Sequence, residues 1–372
     1  MFTADNFNWE PLKMPAQDWR RPGIRLKNRL TRPIRKAMEI TGRSKDYAAC
    51  ETVKTTGATV SFIGDVPSVA GLQNSQNALS YAQPRPMVET LDKILYTPSG
   101  NAWHNGCLLR KASSRRPSIR EILDRPKVNQ AHIVEQAYII ESETPYTYGD
   151  WVGDHIRALV EAPLDIRHVV LPLDLAQKSY VQRDVGRLGF TLVPADKPLM
   201  ILKAHVLRKQ LPSYYWGKAQ VNAYRDRFQV RLIEPQPGSL IYLSREGIKS
   251  EAVDRVYPSA QIAGIVRRLG GEVFDTRYAS PEAFARIALR AETVIADQGS
   301  AIFGVLQWQT KNLIEITTEN WWHNANLFFA HASGIENYAV LVSDRYQGAA
   351  LENRLMELLS DVGFYFPDIK ED

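Results

Sequence analysis

Ala291-Glu-Thr-Val-Ile-Ala-Asp-Gln-Gly-Ser-Ala301 passes from apolar and β-branched residues, through an acid, into Gly-Ser and then into apolar Ile302–Leu306. A short apolar run with such an exit reads as a buried strand, and the small residues after it as the entrance to a helix. The pattern repeats on both sides. Strands are expected at Leu240–Leu243, Glu272–Asp275, Thr293–Ala296, Leu313–Ile316 and Tyr338–Val342. Helices are expected near Ser259–Leu269, Pro281–Ala291, Ser300–Gln309, His323–Ala332 and Ala349–Val362. Alternation at this short spacing predicts an α/β fold, with a parallel sheet covered on both faces and a Rossmann-like domain over residues 237–372.

Upstream, Pro235-Gln-Pro-Gly238 is the expected interdomain linker, and residues 46–236 the expected N-terminal domain. Strand-like runs occur there at Ala58–Ile63, Ile133–Ile140, His168–Leu173, Phe190–Val193 and Leu199–Leu207. Helices are expected at Asp150–Val160 and at Gln177–Leu188, the latter ended by Gly189, which takes the left-handed C-cap conformation without steric cost. Asp65–Pro86 and Pro98–Pro117 read as long loops, the second carrying basic Arg110, Lys111, Arg115 and Arg116. Residues 1–45 form a separate basic arm. Within residues 20–38, Leu26, Leu30, Ile34 and Met38 recur every fourth position among arginines and lysines, with Pro22 and Pro33 interrupting. The segment reads either as an amphipathic helix on an anionic membrane surface or as a solvated arm.

At 372 residues and 44% hydrophobic content the chain is long and apolar enough for two packed domains. No run approaches the length of a membrane span, and the N-terminus lacks the layout of a secretory signal. Cys50 and Cys107 have no CxxC spacing and read as reduced thiols, so the expected location is the cytoplasm, with a peripheral place on the inner membrane face if the arm binds lipid. A net charge of +5 invites a nucleic-acid reading, but no zinc spacing, RNP pattern or helix-turn-helix accompanies it, so no specific nucleic-acid partner is expected.

In an open parallel sheet, ligands lie at the carboxyl ends of the strands. Ser244 and Arg245 follow the first strand of the C-terminal half and suit phosphate oxygens, because the guanidinium donates as a fork. Gln298, Gly299, Ser300 and Ala301 follow the third, where small residues admit an anion to backbone N–H groups. Glu315 in the fourth strand suits ribose hydroxyls. Each has a structural alternative, a capped turn or an ordinary connection. Neither GxGxxG after a strand nor GxxxxGK[ST] is present, which disfavours the usual dinucleotide and P-loop readings.

Four blocks of the chain resemble glycosyltransferase family 61, which includes plant xylosyltransferases, animal O-linked N-acetylglucosaminyltransferases and bacterial capsule-synthesis proteins. They are Tyr148-Gly-Asp-Trp-Val-Gly-Asp-His155; Leu240-Ile-Tyr-Leu-Ser-Arg245; Ser280-Pro-Glu-Ala-Phe284 followed by Ala291–Ala301; and Leu313-Ile-Glu-Ile316. Two histidines of the family pattern are replaced, by Asp150 and by Gln298. The resemblance implies a GT-B-like architecture, two Rossmann-like domains facing across a cleft, with the donor held by the C-terminal one and no metal. The final helix would suit the crossover of that architecture. The implied activity is transfer of a sugar from a nucleotide-sugar, a UDP-sugar first, to a glycan or lipid-linked glycan acceptor, with inversion, in capsular or surface polysaccharide synthesis.

The nucleotide-sugar is then a substrate, and no cofactor is expected. Arg245 and the N–H groups of 299–301 would stabilise the leaving diphosphate. A general base is expected from the N-terminal side of the cleft, Asp150 first and Asp154 second, four residues apart on one helical face. Asp150 equally suits a charge at a helix N-terminus. Trp151, Tyr215 and Trp216 are candidates for stacking on an acceptor sugar, with core packing or an interdomain contact as the alternative. The replaced histidines support a competing reading, a catalytically inactive protein of the same fold that binds carbohydrate or scaffolds a polysaccharide-assembly complex.

Overall fold

The structure is a computed structural model that describes residues 44–45, 59–68, 78–80, 88–104, 107–109, 131–141, 147–208, 214–245, 256–276 and 290–366. The basic segment 20–38, the positive stretch 110–116, Cys50 and most of the helix expected at 281–291 lie outside the described residues. In chain order the strands are β1 (Ser44–Lys45), β2 (Thr59–Ser61), β3 (Ile63–Gly64), β4 (Ala78–Ser80), β5 (Val88–Tyr96), β6 (Ala102–His104), β7 (Cys107–Leu109) and β8 (His132–Ile140). They continue with β9 (His168–Pro172), β10 (Thr191–Ala195), β11 (Leu199–Leu207), β12 (Gln236–Ser244), β13 (Glu272–Asp275), β14 (Ala291–Asp297), β15 (Asn312–Thr317) and β16 (Asn337–Val342). The chain is an α/β protein of two compact units.

The first unit takes Met1–Glu51, Arg85–Tyr146 and Glu161–Leu211. It holds an eight-stranded mixed sheet in the order β1-β7-β6-β5-β11-β8-β9-β10. β8, β9, β10 and β11 run parallel, while β5 pairs antiparallel with both β11 and β6. Its core is the face carrying Ile94, Tyr96, Ala137, Ile139, Val170, Ile201, Ala204 and Val206. At the carboxyl ends of β8 and β11, buried Arg208 pairs with buried Glu141 at 3.3 Å.

The second unit takes Thr52–Pro84, Thr147–Val160 and Pro212–Asp372. Its sheet has six strands in the order β13-β12-β14-β15-β16-β3, every pair parallel. All six residues of β15 are buried, as expected of a parallel strand covered on both faces. One layer is formed by the helices Ser259–Arg268, which buries Ile262, Ala263, Ile265 and Val266, and Ala349–Asp361, which buries Leu351, Leu355, Leu358 and Leu359. The helix Ala325–Ser333 buries nearly its whole circumference. Trp216 packs edge-on against its Phe329, and Tyr215 against its Phe328.

β3 reaches the far edge of this sheet from early in the chain. Asp65 secures it: its Oδ2 accepts from the Val342 N–H at 2.9 Å, and its Oδ1 accepts from Tyr346 Oη at 3.0 Å and Arg354 Nε at 3.1 Å.

Three expectations are corrected. Pro235–Gly238 is not a linker. Gln236 opens β12, with its N–H on Arg290 O at 2.9 Å, and the Gly238 N–H donates to Glu292 Oε2 at 2.7 Å. The boundary expected between residues 236 and 237 thus falls inside the second unit. That unit also holds the helix Lys218–Phe228, because aromatic side chains of 214–228 pack on Ala325–Ser333, and the segment Thr147–Val160, whose Gly149 and Gly153 lie against Ser300 and Tyr214. The helix expected over Ser300–Gln309 is a 3₁₀ turn over Ser300–Leu306. The Arg225 guanidinium gathers the carbonyls its end leaves open, those of Leu306 at 3.0 Å and Val305 at 3.4 Å, together with Ser333 O at 2.8 Å from the neighbouring helix.

Candidate functional site

The strand order of the second unit reverses between β12 and β14, since β13 follows β12 on one side while β14, β15 and β16 extend on the other. The crevice at such a switch point, outside the carboxyl ends, is where doubly wound sheets bind ligands. Arg245 leaves β12 there, and Gln298-Gly299-Ser300 leave β14.

Asp297, fully buried at the last position of β14, ties the two strand ends together. Its Oδ2 accepts from the Arg245 N–H and from Ser259 Oγ, both at 2.8 Å, and its Oδ1 accepts from Tyr242 Oη at 2.7 Å. Burial pushes the carboxyl pKa upward, and these donors oppose the shift. The half-buried guanidinium of Arg245 then donates from Nη1 to Gln298 O at 2.9 Å and lies over Gly299, where any Cβ would run into it. Glycine at 299 is therefore what lets the guanidinium rest there, and a side chain at this position would displace it. No side chain caps the turn that follows, so the N–H groups of Ser300 and Ala301 open it without an intrahelical acceptor. The Gln298 N–H, by contrast, is used by Ile316 O at 2.8 Å.

A second group of residues meets this edge within the same unit. The helix expected over Asp150–Val160 is α-helical at Tyr148–Asp150, a π-helix over Trp151–Ile156, and α-helical again at Arg157–Glu161. Such widened turns concentrate at functional sites. Gly149 abuts Ser300, whose Oγ would lie 2.8 Å from a Cβ placed there. Gly153 leaves room for the Tyr214 ring. Tyr214 holds a left-handed backbone (φ 65°), a conformation that costs a bulky residue about 1–3 kcal/mol and collects at functional sites. Its hydroxyl donates to Asp150 Oδ1, and its ring packs against Phe303 (centroids 6.1 Å) and edge-on against His323 (5.6 Å).

Asp150 and Asp154 are not joined by the α-helical turn that was expected to put them on one face, because a π-helix over Trp151–Ile156 intervenes. Asp150 closes a capping box with Thr147, its Oδ2 accepting from the Thr147 N–H and Oγ1, both at 2.8 Å. With Tyr214 on its other oxygen, its carboxylate is committed to structure. Asp154 is buried one π-turn further on, close enough to His323 for its charge to favour the imidazolium. His323 keeps a solvent-exposed edge, yet the protein packed around the ring lowers its pKa, against the pull of Asp154.

The remaining expectations fare differently. Ser244 is buried and its side chain bonds Tyr242, so it belongs to the Asp297 network and presents no hydroxyl to a ligand. Glu315 is fully buried: Oε1 accepts from Asn326 Nδ2 at 2.7 Å, and Oε2 from Trp322 Nε1 at 3.1 Å and from the Tyr338 hydroxyl. Its oxygens are taken up inside the unit and face no ribose. Trp151 and Trp216 are wholly buried, and Tyr215 nearly so, with its hydroxyl on Asn324 Oδ1 at 2.5 Å. These rings are core, and large apolar area rather than sugar stacking accounts for them.

Sequence reasoning left Tyr214 and His323 out of the candidate binding residues and missed the organising role of Asp297. His323 follows β15 at the same sheet edge, so extending the strand-end rule a few residues into each loop would have found it. Among the described residues, no three of His, Cys, Asp and Glu converge as a metal site would require.

No protein-family model matches the chain, and no curated protein matches it either. The fold and site thus define a class: an α/β protein with a doubly wound parallel sheet whose switch point carries an arginine laid over a glycine.

Proposed function

We propose that the second unit binds a nucleotide-sugar and that the protein is an inverting, metal-independent glycosyltransferase acting on a glycan or lipid-linked glycan in polysaccharide synthesis. The observation that carries the reading is Arg245, held by Asp297 and Gln298 over Gly299 at the switch point beside the N–H groups of Ser300 and Ala301. A guanidinium and backbone donors already oriented stabilise a diphosphate as it departs, without reorganisation in the transition state. The four-block resemblance to family 61 and its GT-B-like architecture belong to the same proposal.

In the reaction, the acceptor hydroxyl attacks the anomeric carbon from the face opposite the diphosphate. The new C–O bond forms as the bond to the diphosphate oxygen breaks with its electron pair, and the hydroxyl proton passes to a carboxylate. Asp154 takes that role in place of Asp150, whose oxygens are engaged by Thr147 and Tyr214.

A thermal-shift comparison tests the binding step. Stabilisation by UDP and a UDP-sugar, unchanged by EDTA and lost in Arg245→Ala, is expected through mass action. No shift with any nucleoside diphosphate refutes the donor site. The non-catalytic alternative draws support from the structural use of Asp150, and transfer or hydrolysis of a UDP-sugar excludes it. Among the described residues no helix is long and apolar enough to cross a membrane. The proposed place on the cytoplasmic membrane face rests on residues 20–38 and is tested by sedimentation with anionic vesicles.

A further inference from the structure

The Ala325 N–H donates to His323 Nδ1 at 3.2 Å. An imidazole nitrogen that accepts an N–H carries no proton, so the neutral ring holds its proton on Nε2. Protonating Nδ1 would set two N–H groups against each other at the start of the nine-residue helix Ala325–Ser333, whose dipole also opposes a cation there. The protein packed on the ring, which is otherwise exposed, partly desolvates it and works in the same direction. Against these stands Asp154, and the other titratable group on the ring is Tyr214, whose proton is already given to Asp150. Among the described residues, the ring's only hydrogen bond is the one at Nδ1.

We propose that His323 is a neutral hydrogen-bond donor that recognises a sugar hydroxyl through Nε2–H. This rests on the nucleotide-sugar reading of the site. A hydroxyl accepts from an Nε2–H and, being neutral, is not repelled by the negative charge of Asp154. A phosphate does not match, because the Asp154 charge repels it, whereas Arg245 at the Gly299 end attracts it. The same geometry removes His323 as a general base, since the nitrogen turned to the ligand already bears a proton.

The test uses the full chain labelled with ¹⁵N-histidine, with the His323 signals assigned through His323→Gln. The expected spectrum is the Nε2–H tautomer at neutral pH, with the imidazolium forming only below the ordinary imidazole range. An imidazolium or an Nδ1–H tautomer at neutral pH overturns the proposal.

Affinities for UDP, UDP-glucose, UDP-galactose, UDP-xylose and UDP-N-acetylglucosamine are then compared. At least one sugar is expected to improve on UDP. His323→Ala should reduce that improvement roughly three- to tenfold, the worth of one hydrogen bond, while His323→Gln retains it because its amide nitrogen reaches the Nε2 position. UDP affinity itself should stay level in both variants. Loss of UDP affinity in His323→Ala would mean a phosphate partner and overturns the hydroxyl assignment. UDP binding with no added affinity from any sugar, or sugar affinity indifferent to His323→Ala, overturns the proposal and leaves the nucleotide reading standing. Failure of UDP and every UDP-sugar to bind refutes the nucleotide reading itself, and this inference with it.

Discussion

Replacing Glu315 by glutamine should make the protein relatively more stable as pH rises. Burial raises the Glu315 carboxyl pKa from 4.5 to about 7, with Tyr338, Asn326 and Trp322 opposing the shift. The folded state therefore holds a proton that the unfolded chain releases between these values. Stability is fully present below the unfolded pKa and falls as pH rises through the folded one, because stability decreases with pH wherever the native state binds more protons. At 1.36 kcal/mol per unit, the full loss is about 3 kcal/mol, of which about 2 kcal/mol falls between pH 5 and 7.

Glutamine is nearly isosteric. Its oxygen can take the Trp322 and Tyr338 donors, and its amide can face Asn326 once the Asn326 side-chain amide turns round. Urea unfolding of wild type and Glu315→Gln across this pH range isolates the carboxyl, since every other titrating group is common to both. Wild type should lose ground to the variant steadily from pH 5 to 7 and little thereafter. A difference constant to within about 0.5 kcal/mol over the whole range would refute the assignment of this titration.

Removing the Arg245 guanidinium in Arg245→Ala should lower transfer rate by about 100- to 1000-fold with the melting temperature of the free protein little changed, as measured by steady-state assay and thermal melt. Gly299→Ala should drive the guanidinium off its seat and abolish the UDP thermal shift; retention of wild-type UDP affinity would show that the close approach is dispensable. Gly153→Ala forces the Tyr214 ring to move and should cost about 1–3 kcal/mol by overpacking, read from denaturant midpoints. Arg225→Met keeps the stem but strands the carbonyls of Leu306 and Ser333. It should cost about 1–3 kcal/mol and speed hydrogen exchange in Ser300–Leu306 before the rest of the unit.

The parallel sheet of the second unit was legible because its strands are buried on both faces. Runs such as Val294-Ile-Ala296 and Leu313-Ile-Glu-Ile316 do not alternate between apolar and polar as half-exposed strands do. β3 has only two residues, and nothing local to Ile63-Gly64 announces a partner at Ala339 and Val340. The assignment of Thr147–Val160 to the second unit depends on tertiary contacts of Gly149 and Gly153 that no window of sequence contains. At the candidate site, Arg245 and Gly299 could be singled out because ligands of such sheets lie at strand ends whatever the detailed packing. Glu315, inside β15, did not follow the same rule: all six residues of that strand are buried, so the sequence did not reveal that its side chain turns into the unit. Asp150 and Asp154 were paired by α-helical spacing, and the π-turn between them broke that pairing.

The clamp at Asp65 has a temporal side. Asp65 and the Val342 N–H it holds are 277 positions apart, and synthesis at about 5–20 residues per second separates their appearance by roughly 15–55 s. During that interval, β3 and the Thr147–Val160 segment have emerged while the sheet that receives them is still being made. The first unit can close much earlier, because its last strand ends at Leu207. A nascent chain therefore carries two waiting segments of the second unit while the first unit can already have folded. Arrest of translation before Arg354 should leave those segments open to protease and chaperone alike.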